Sequence, residues 1–403
     1  MIRRRGRVPP AAVAATARWD RATADLDPPF AVVDLAAFDA NLDDLLARAD
    51  GLPIRVATKS LRCRALVERA LARPEVTGLM AFTLPEARWL VAEGGHDDVL
   101  VAYPTVHRAA LRALAADERA RAAITIMVDS VEHLDLVDAV LGPDHPELRV
   151  CLELDAAWRP LPGVHVGARR SPVRTAREAG RLALAITARP GYRLVGVMAY
   201  EGQIAGVPDA TGARVRDAVV GWMQRRSARE LAARRGAAVR AVRAEADLAF
   251  VNGGGSGSVE STRADPSVTE IAAGSALVGA TLFDGYTRLH PRAALAYALP
   301  VVRRPDRRTA TLAGGGWVAS GPAAASRLPA PVRDDLALTG TEGAGEVQTP
   351  VRGPRVPALG ERVWMRHAKA GELAEHVAAY HLVDGDRVVA TVPTYRGEGT
   401  ADG

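Results

Sequence analysis

The sequence predicts an α/β fold: a (β/α)8 TIM-type barrel followed by a smaller C-terminal all-β domain. Three observations predict it. Short apolar runs recur eight times between residues 54 and 275. Helical stretches separate them at spacings suited to β/α units. Beyond Leu282 the pattern changes to short β-like runs with many Gly and Pro. A chain of 403 residues accommodates this as one large domain or two of moderate size.

Residues 1–27 are rich in Ala, Arg and Pro without sustained periodicity, and read as an N-terminal arm. Order is expected from Pro28-Pro29. The apolar run FAVVD follows at 30–34, and then Leu35, Phe38, Leu42, Leu45 and Leu46 share one face of an amphipathic helix. The eight strand candidates are 54–58, 78–82, 98–103, 123–129, 148–155, 194–200, 248–254 and 269–275. Helix candidates lie between them, including one with Pro85 in its first turn and one with Ser130 as N-cap. Eight strands with interposed helices are the pattern of a closed barrel, with a doubly wound open sheet as the alternative. The barrel unit is set at 28–285 and the β-domain at 286–403. In the latter, AYALPVVRR, TATLAGGGWVAS, GERVWMRH, AYHLV and DRVVATVPT read as strands, and 320–360 as long loops. No repeat of fixed period interrupts the pattern.

Composition narrows the function classes. Hydrophobic residues are 48% and charged residues 25%, which argues for a folded globular chain rather than a disordered or fibrous one. No run approaches the ~20 apolar residues of a membrane span, and the Arg-rich start lacks a signal-peptide core. The expectation is a cytoplasmic protein. The charge of +5 raises nucleic acid as a partner, but basic and acidic residues are interspersed and no basic-aromatic stripe occurs. Cys63 and Cys151 form no metal or redox motif and are expected to be small buried hydrophobes.

Lysine is the sharper signal. Of 52 basic residues, 50 are Arg; only Lys59 and Lys369 remain. A guanidinium stays protonated at neutral pH and cannot serve as a nucleophilic amine. Lys59 directly follows the first barrel strand, where barrel active sites form, and is the only lysine of the barrel segment. An unpaired lysine there is costly unless its amine is used, and Schiff-base chemistry is one such use. The seventh strand runs into Asn252-Gly253-Gly254-Gly255-Ser256-Gly257-Ser258, and the eighth ends in Ala273-Gly274-Ser275. Two adjacent small-residue turns at these strands suit a phosphate. An amine facing a phosphate cradle points to pyridoxal 5′-phosphate, with a sugar-phosphate Schiff-base aldolase as the rival reading.

Those segments resemble the fold-type III pyridoxal phosphate enzymes, whose barrel is of the alanine racemase N-terminal type. Within them the likeness is to the D-threonine aldolase and D-serine dehydratase group, which includes proteins described as amino acid deaminase/aldolase. The resemblance is carried by PFAVVDLAAFDANLDDL, RVATKSLRC, VHVGARRSPV, GVMAYEGQIAG, VNGGGSGSVEST, TEIAAGSALVGATLFDGY and VPTYRGEG, and covers most of residues 28–399. It implies that Lys59 holds the cofactor and that Gly254, Gly255, Ser256, Gly274 and Ser275 surround its phosphate. It further implies that Arg170, with Arg169 in reserve, approaches the cofactor or a substrate carboxylate, and that Tyr200 contacts the pyridine ring. It implies a lyase acting on a β-hydroxy, D-configured amino acid, by cleavage to glycine and an aldehyde or by dehydration and deamination to a 2-oxo acid, in a homodimer.

The chain departs from the family in its tail. Aldolase and dehydratase members carry, after a Pro, a His and two residues later a Cys or Asp that bind a divalent metal. Here Pro393 is followed by Tyr395 and Gly397 at those positions, so metal dependence is in doubt and chelators are expected to act weakly. His367, Glu372, Glu375, His376 and His381 are the candidates for a replacement site, although His376 and His381 do not share a helix face. Two other functions stay open. A racemase of the same fold needs a second acid/base, for which Tyr395 from a partner subunit is the candidate. A non-catalytic carrier of the cofactor is disfavoured by the second domain.

Overall fold

The computed structural model describes residues 10–400. Its first element is a helix, Pro10–Ala22, where the sequence led us to expect an arm. Trp19 is fully buried there, edge-on to Trp364 at 5.2 Å, and its indole N–H donates to Asp34 at 3.0 Å. One large aromatic thus does the anchoring that a periodic apolar face usually does, which hides the helix from a periodicity reading. Residues 1–9 of the expected arm lie outside the described residues.

Strand β1 (Phe30–Asp34) is followed by the helix Leu35–Ala49, and then by the barrel strands. These are β2 (Ile54–Ala57), β3 (Val76–Ala81), β4 (Val99–Pro104), β5 (Ile124–Val128), β6 (Leu148–Glu153), β7 (Tyr192–Ala199), β8 (Phe250–Gly253) and β9 (Glu270–Ala273). They correspond one for one to the eight apolar runs. They close into a parallel barrel, β9 pairing with β2, so the open-sheet alternative falls away. Pro85 sits in the first turn of the helix Leu84–Gly94 behind the N-cap Thr83, while Ser130 takes the N-cap position of Val131–Leu141 without a capping bond from its hydroxyl.

The second sheet comprises β1 with β10 (Leu295–Asp306), β11 (Thr309–Ala313), β12 (Ala330–Pro331), β13 (Ala337–Leu338), β14 (Gln348–Arg352), β15 (Arg362–Arg366), β16 (Ala379–Asp384) and β17 (Arg387–Pro393). Its order is β13-β14-β11-β10-β1-β16-β17, with β15 also on β10 and β12 on β15. The strand expected to open the barrel unit at 28–285 is therefore central to the β-domain, antiparallel to β10 and parallel to β16. All five of its residues are buried, as a two-sided apolar run requires, but such a run does not reveal which sheet receives it. The chain crosses once from the β-domain into the barrel and later returns. Asn41 secures the crossing helix by donating to the carbonyls of Leu277 and Arg292 at 3.0 and 2.9 Å.

Inside the barrel, Leu100, Met127, Cys151, Val195, Met198 and Phe250 form an apolar layer. Next to it, Arg55 is buried and bidentate to Glu270, at 2.7 and 2.9 Å, and to Asp98, at 3.0 and 2.8 Å. Such a charge survives burial because each partner oxygen is matched by an N–H. Asn252 extends this network towards the opposite rim by donating to Glu270 at 2.7 Å. Both cysteines are buried and free, and burial pushes the Cys63 thiol up to about 11, which makes it unreactive. No helix among the described residues is long and apolar enough to cross a membrane.

Candidate active site

The C-terminal ends of the barrel strands and one edge of the β-domain enclose a cavity of about 400 Å³. A tight turn at Thr58–Ser60 follows β2 and projects Lys59 into it. The Lys59 ammonium donates to the Tyr103 hydroxyl at 2.7 Å from the end of β4. Burial raises the Tyr103 pKa, but the charges of Lys59 and Arg170 outweigh burial and hold it below the ordinary phenol value. Arg170, in the long connection after β6, lies 5.0 Å from the Tyr103 ring centre and 4.6 Å from that of Tyr200. Its guanidinium donates to the buried Glu153 at 3.2 Å and also engages the Tyr103 hydroxyl. Arg169 is exposed and does not line the cavity.

Gly254, Gly255, Ser256, Gly274 and Ser275 line the same cavity at the ends of β8 and β9, the latter paired with Lys59's own strand β2. The Ser256 hydroxyl receives the N–H groups of Gly274 and Ala276 at 3.4 and 3.1 Å, and the Ser275 hydroxyl at 3.2 Å. Three donors thus converge on one hydroxyl oxygen at the edge of the cavity. Gly254 has φ +90°, a conformation that only glycine adopts without strain, and a Cβ on Gly255 would lie 2.8 Å from that of Ala205. A larger residue would therefore be strained at 254 and would crowd Ala205 at 255. Arg48 braces the loop, donating to the Ser256 carbonyl at 3.0 Å while paired with Glu260.

Tyr395 is not in this cavity. It is buried within its own subunit, edge-on to Trp89 at 5.0 Å, with its N–H bonded to the Arg62 carbonyl at 2.9 Å. Its hydroxyl faces Glu86 and Thr58 without a hydrogen bond of normal geometry. The role sketched for it as an acid/base reaching a partner's site requires an exposed hydroxyl, which packing denies it here. The candidate metal residues also stay apart. His367 is buried, Glu375 pairs with Arg62, His376 stacks on Trp317 at 5.1 Å and His381 bonds to Thr391 at 2.9 Å. Among the described residues no three His, Cys, Asp or Glu side chains gather as a metal would need. At 397, a Cβ would collide with the Ala378 carbonyl, so this backbone admits no ligand-bearing side chain there.

Glu86 accepts from the Thr58 hydroxyl at 2.6 Å and the Phe82 N–H at 2.7 Å, directly behind the lysine turn. Burial raises its pKa from 4.5 to about 7. The folded state then holds the proton more tightly than the unfolded chain. The associated stability is complete below the unfolded pKa and is lost as pH rises through the folded one. Relative to Glu86→Gln, which stays neutral, the protein should lose about 3 kcal/mol between pH 4 and pH 8. Urea midpoints of the two proteins across that range check this; a pH-independent difference would refute it.

Sequence reasoning missed Tyr103, Glu153 and Ser320 in or beside the cavity, named Glu372 only as a metal candidate and noted Lys369 only as the second lysine. Tyr103 ends an apolar run in which it reads as core, and the others become neighbours only through long-range folding. The second lysine of a lysine-poor chain was the one available signal.

Comparison with known proteins follows the same lines. Residues 33–281 match the alanine racemase, N-terminal domain, family model. D-threonine aldolase of an Arthrobacter species is 31% identical over 258 residues, which are 62% of this chain and 61% of that protein. The match thus spans about three fifths of that curated relative. Among solved structures, D-threonine aldolase from Filomicrobium marinum superposes with a TM-score of 0.75 at 22% identity, covering 93% of this chain and 96% of that one. D-threo-3-hydroxyaspartate dehydratase from Delftia sp. HT23 gives 0.71 at 22% identity, covering 92% and 97%. These likenesses show a shared fold along nearly the whole chain.

Proposed function

Since the chain belongs to the alanine racemase N-terminal domain family, we propose that it is a pyridoxal 5′-phosphate-dependent lyase of β-hydroxy amino acids, of D configuration. The observation that carries this reading is the Lys59 amine projecting into a cavity that also holds a convergent cradle of N–H and hydroxyl donors. The cofactor fits these residues. Its phosphate matches the donors around Ser256, its aldehyde requires an amine, and the glycine-lined backbone leaves space for it. When bound, it supplies the aldehyde that captures amino groups and an electron sink for bond cleavage at Cα.

The chain's own residues do the rest. Lys59 would hold the cofactor through its amine, and that amine, when free, would serve as a base. Tyr103 accepts its hydrogen bond and fixes the direction of Nζ. Arg170, tethered by Glu153 and lying over two tyrosine rings, presents its guanidinium in the cavity to the substrate carboxylate. Tyr200, which lines the cavity, would contact the ring of the cofactor. Ser320, Lys369 and Glu372 of the β-domain narrow the mouth and limit water. The same set serves cleavage to glycine plus aldehyde and dehydration to a 2-oxo acid. The D-threonine aldolase and D-threo-3-hydroxyaspartate dehydratase among the similar proteins support both branches. Tyr395, packed away from the cavity, lends no support to a racemase. We place the protein in the cytoplasm as a homodimer, the latter to be tested by sedimentation.

The deciding experiment is an absorbance spectrum before and after borohydride, followed by peptide mass mapping. A visible band that reduction traps on the peptide of Lys59 is expected. No band after addition of pyridoxal 5′-phosphate would overturn the proposal.

A further inference from the structure

Both lysines of a chain that otherwise uses arginine line the same cavity. Lys369 reaches it from the β-domain, three residues beyond the end of β15. Its segment is fixed at two points. The His367 and Ala368 carbonyls accept from Thr281 and Leu282 N–H at 3.0 and 3.1 Å, on the side of the phosphate cradle. Gly371, at φ +88°, presses on the Lys59 carbonyl so closely that a Cβ would collide with it. Lys369 is thus held on the wall between the cradle and the lysine turn. Its ammonium donates to the Ser320 hydroxyl at 2.7 Å and, at 3.4 Å each, to the Ser320 carbonyl and Glu372. Glu372 is itself secured by the Ser320 N–H at 2.8 Å. The side chain is 33% exposed, so one short bond and two long ones orient it without enclosing it.

Arg170, which also lines the cavity and is paired with Glu153, has the planar fork that suits a carboxylate, whereas an ammonium is a point charge suited to a single oxygen. The tail positions 395 and 397 offer no cation ligands: Tyr395 is buried against Trp89, and Gly397 has no side chain. A positive group for the substrate's β-oxygen must then come from elsewhere on the cavity wall. We infer that Lys369 is the substrate-contacting residue that binds the β-oxygen of the amino acid, the part that a divalent cation would otherwise play. The inference rests on the proposed function and adds the group that selects β-hydroxy substrates over their deoxy counterparts.

The test compares D-serine with D-alanine, which lacks the β-oxygen, on holoenzyme in EDTA. Binding is read from the stopped-flow shift of the visible band within the first turnover. The unmodified enzyme should bind D-serine about tenfold or more tightly than D-alanine, the range of a hydrogen bond to a charged group. Lys369→Met should abolish that preference while leaving the band and the D-alanine constant unchanged, and Lys369→Gln should fall between. Equal losses for both ligands, or a preference untouched in Lys369→Met, would overturn this inference alone. So would a preference that EDTA removes from the unmodified enzyme. Absence of the band in the unmodified protein would overturn the proposed function and this inference with it.

Discussion

Replacing Lys59 by arginine is expected to give a folded protein with no cofactor band and activity reduced by roughly 10⁴-fold or more. The argument starts from burial. Lys59 is exposed to the cavity, and its one side-chain hydrogen bond goes to Tyr103, which a guanidinium can also donate to. Stability should therefore move by no more than about 0.5 kcal/mol, as for other exposed substitutions. The chemistry has no such substitute, because the guanidinium remains protonated and carries no lone pair for an aldehyde. Phosphate affinity should persist, since the donors at Ser256, Gly274, Ser275 and Ala276 are untouched. The variant should bind pyridoxal 5′-phosphate reversibly, removable by dialysis and not trapped by borohydride. Lys369 is the only other side-chain amine in the chain. A band that survives in Lys59→Arg and traps on the Lys369 peptide would reassign the cofactor amine; a band that survives on neither would refute the Schiff-base reading.

Lys59 was legible because two independent signals met on it: the scarcity of lysine and the end of a barrel strand. The cradle was legible for a related reason, since runs of Gly and Ser at the seventh and eighth strand ends have few structural uses. Strand existence followed from apolar runs whose length excludes helices. Strand membership did not follow, as β1 shows. FAVVD is buried on both faces in either sheet, and only pairing with β10 and β16, distant in sequence, decides between them. Tyr395 illustrates the opposite limit. Residue type suggested chemistry, but the side chain is committed to packing against Trp89 and to the rear of the lysine turn, a matter of tertiary contact alone. Lys369 enters the cavity by the same long-range route, so composition flagged it while spacing could not place it.

Arg235→Met should be the most destabilising single substitution near the site, at about 3–5 kcal/mol. Arg235 projects from the long helix Arg214–Arg243 and is almost fully buried, as are its partners Glu201 and Asp265. It donates to Glu201 at 2.7 Å and to Asp265 at 2.8 Å. Removing the guanidinium leaves two carboxylates in a low-dielectric pocket. Glu201 would retain the Thr262 hydroxyl at 2.8 Å and Asp265 the Ser267 N–H at 2.9 Å and hydroxyl at 2.6 Å, neutral donors that do not replace the lost charge. The damage should reach the cradle, because Arg235 lies under Gly253, where a Cβ would come within 2.6 Å of its Nη1. Cofactor affinity should accordingly fall together with the unfolding midpoint. A triple variant, Arg235→Met with Glu201→Gln and Asp265→Asn, separates causes. If uncompensated charge is responsible, the added amides should recover most of the lost stability at pH 7. If the triple variant is no more stable than Arg235→Met, the arginine acts through packing of its stem and not through its charge.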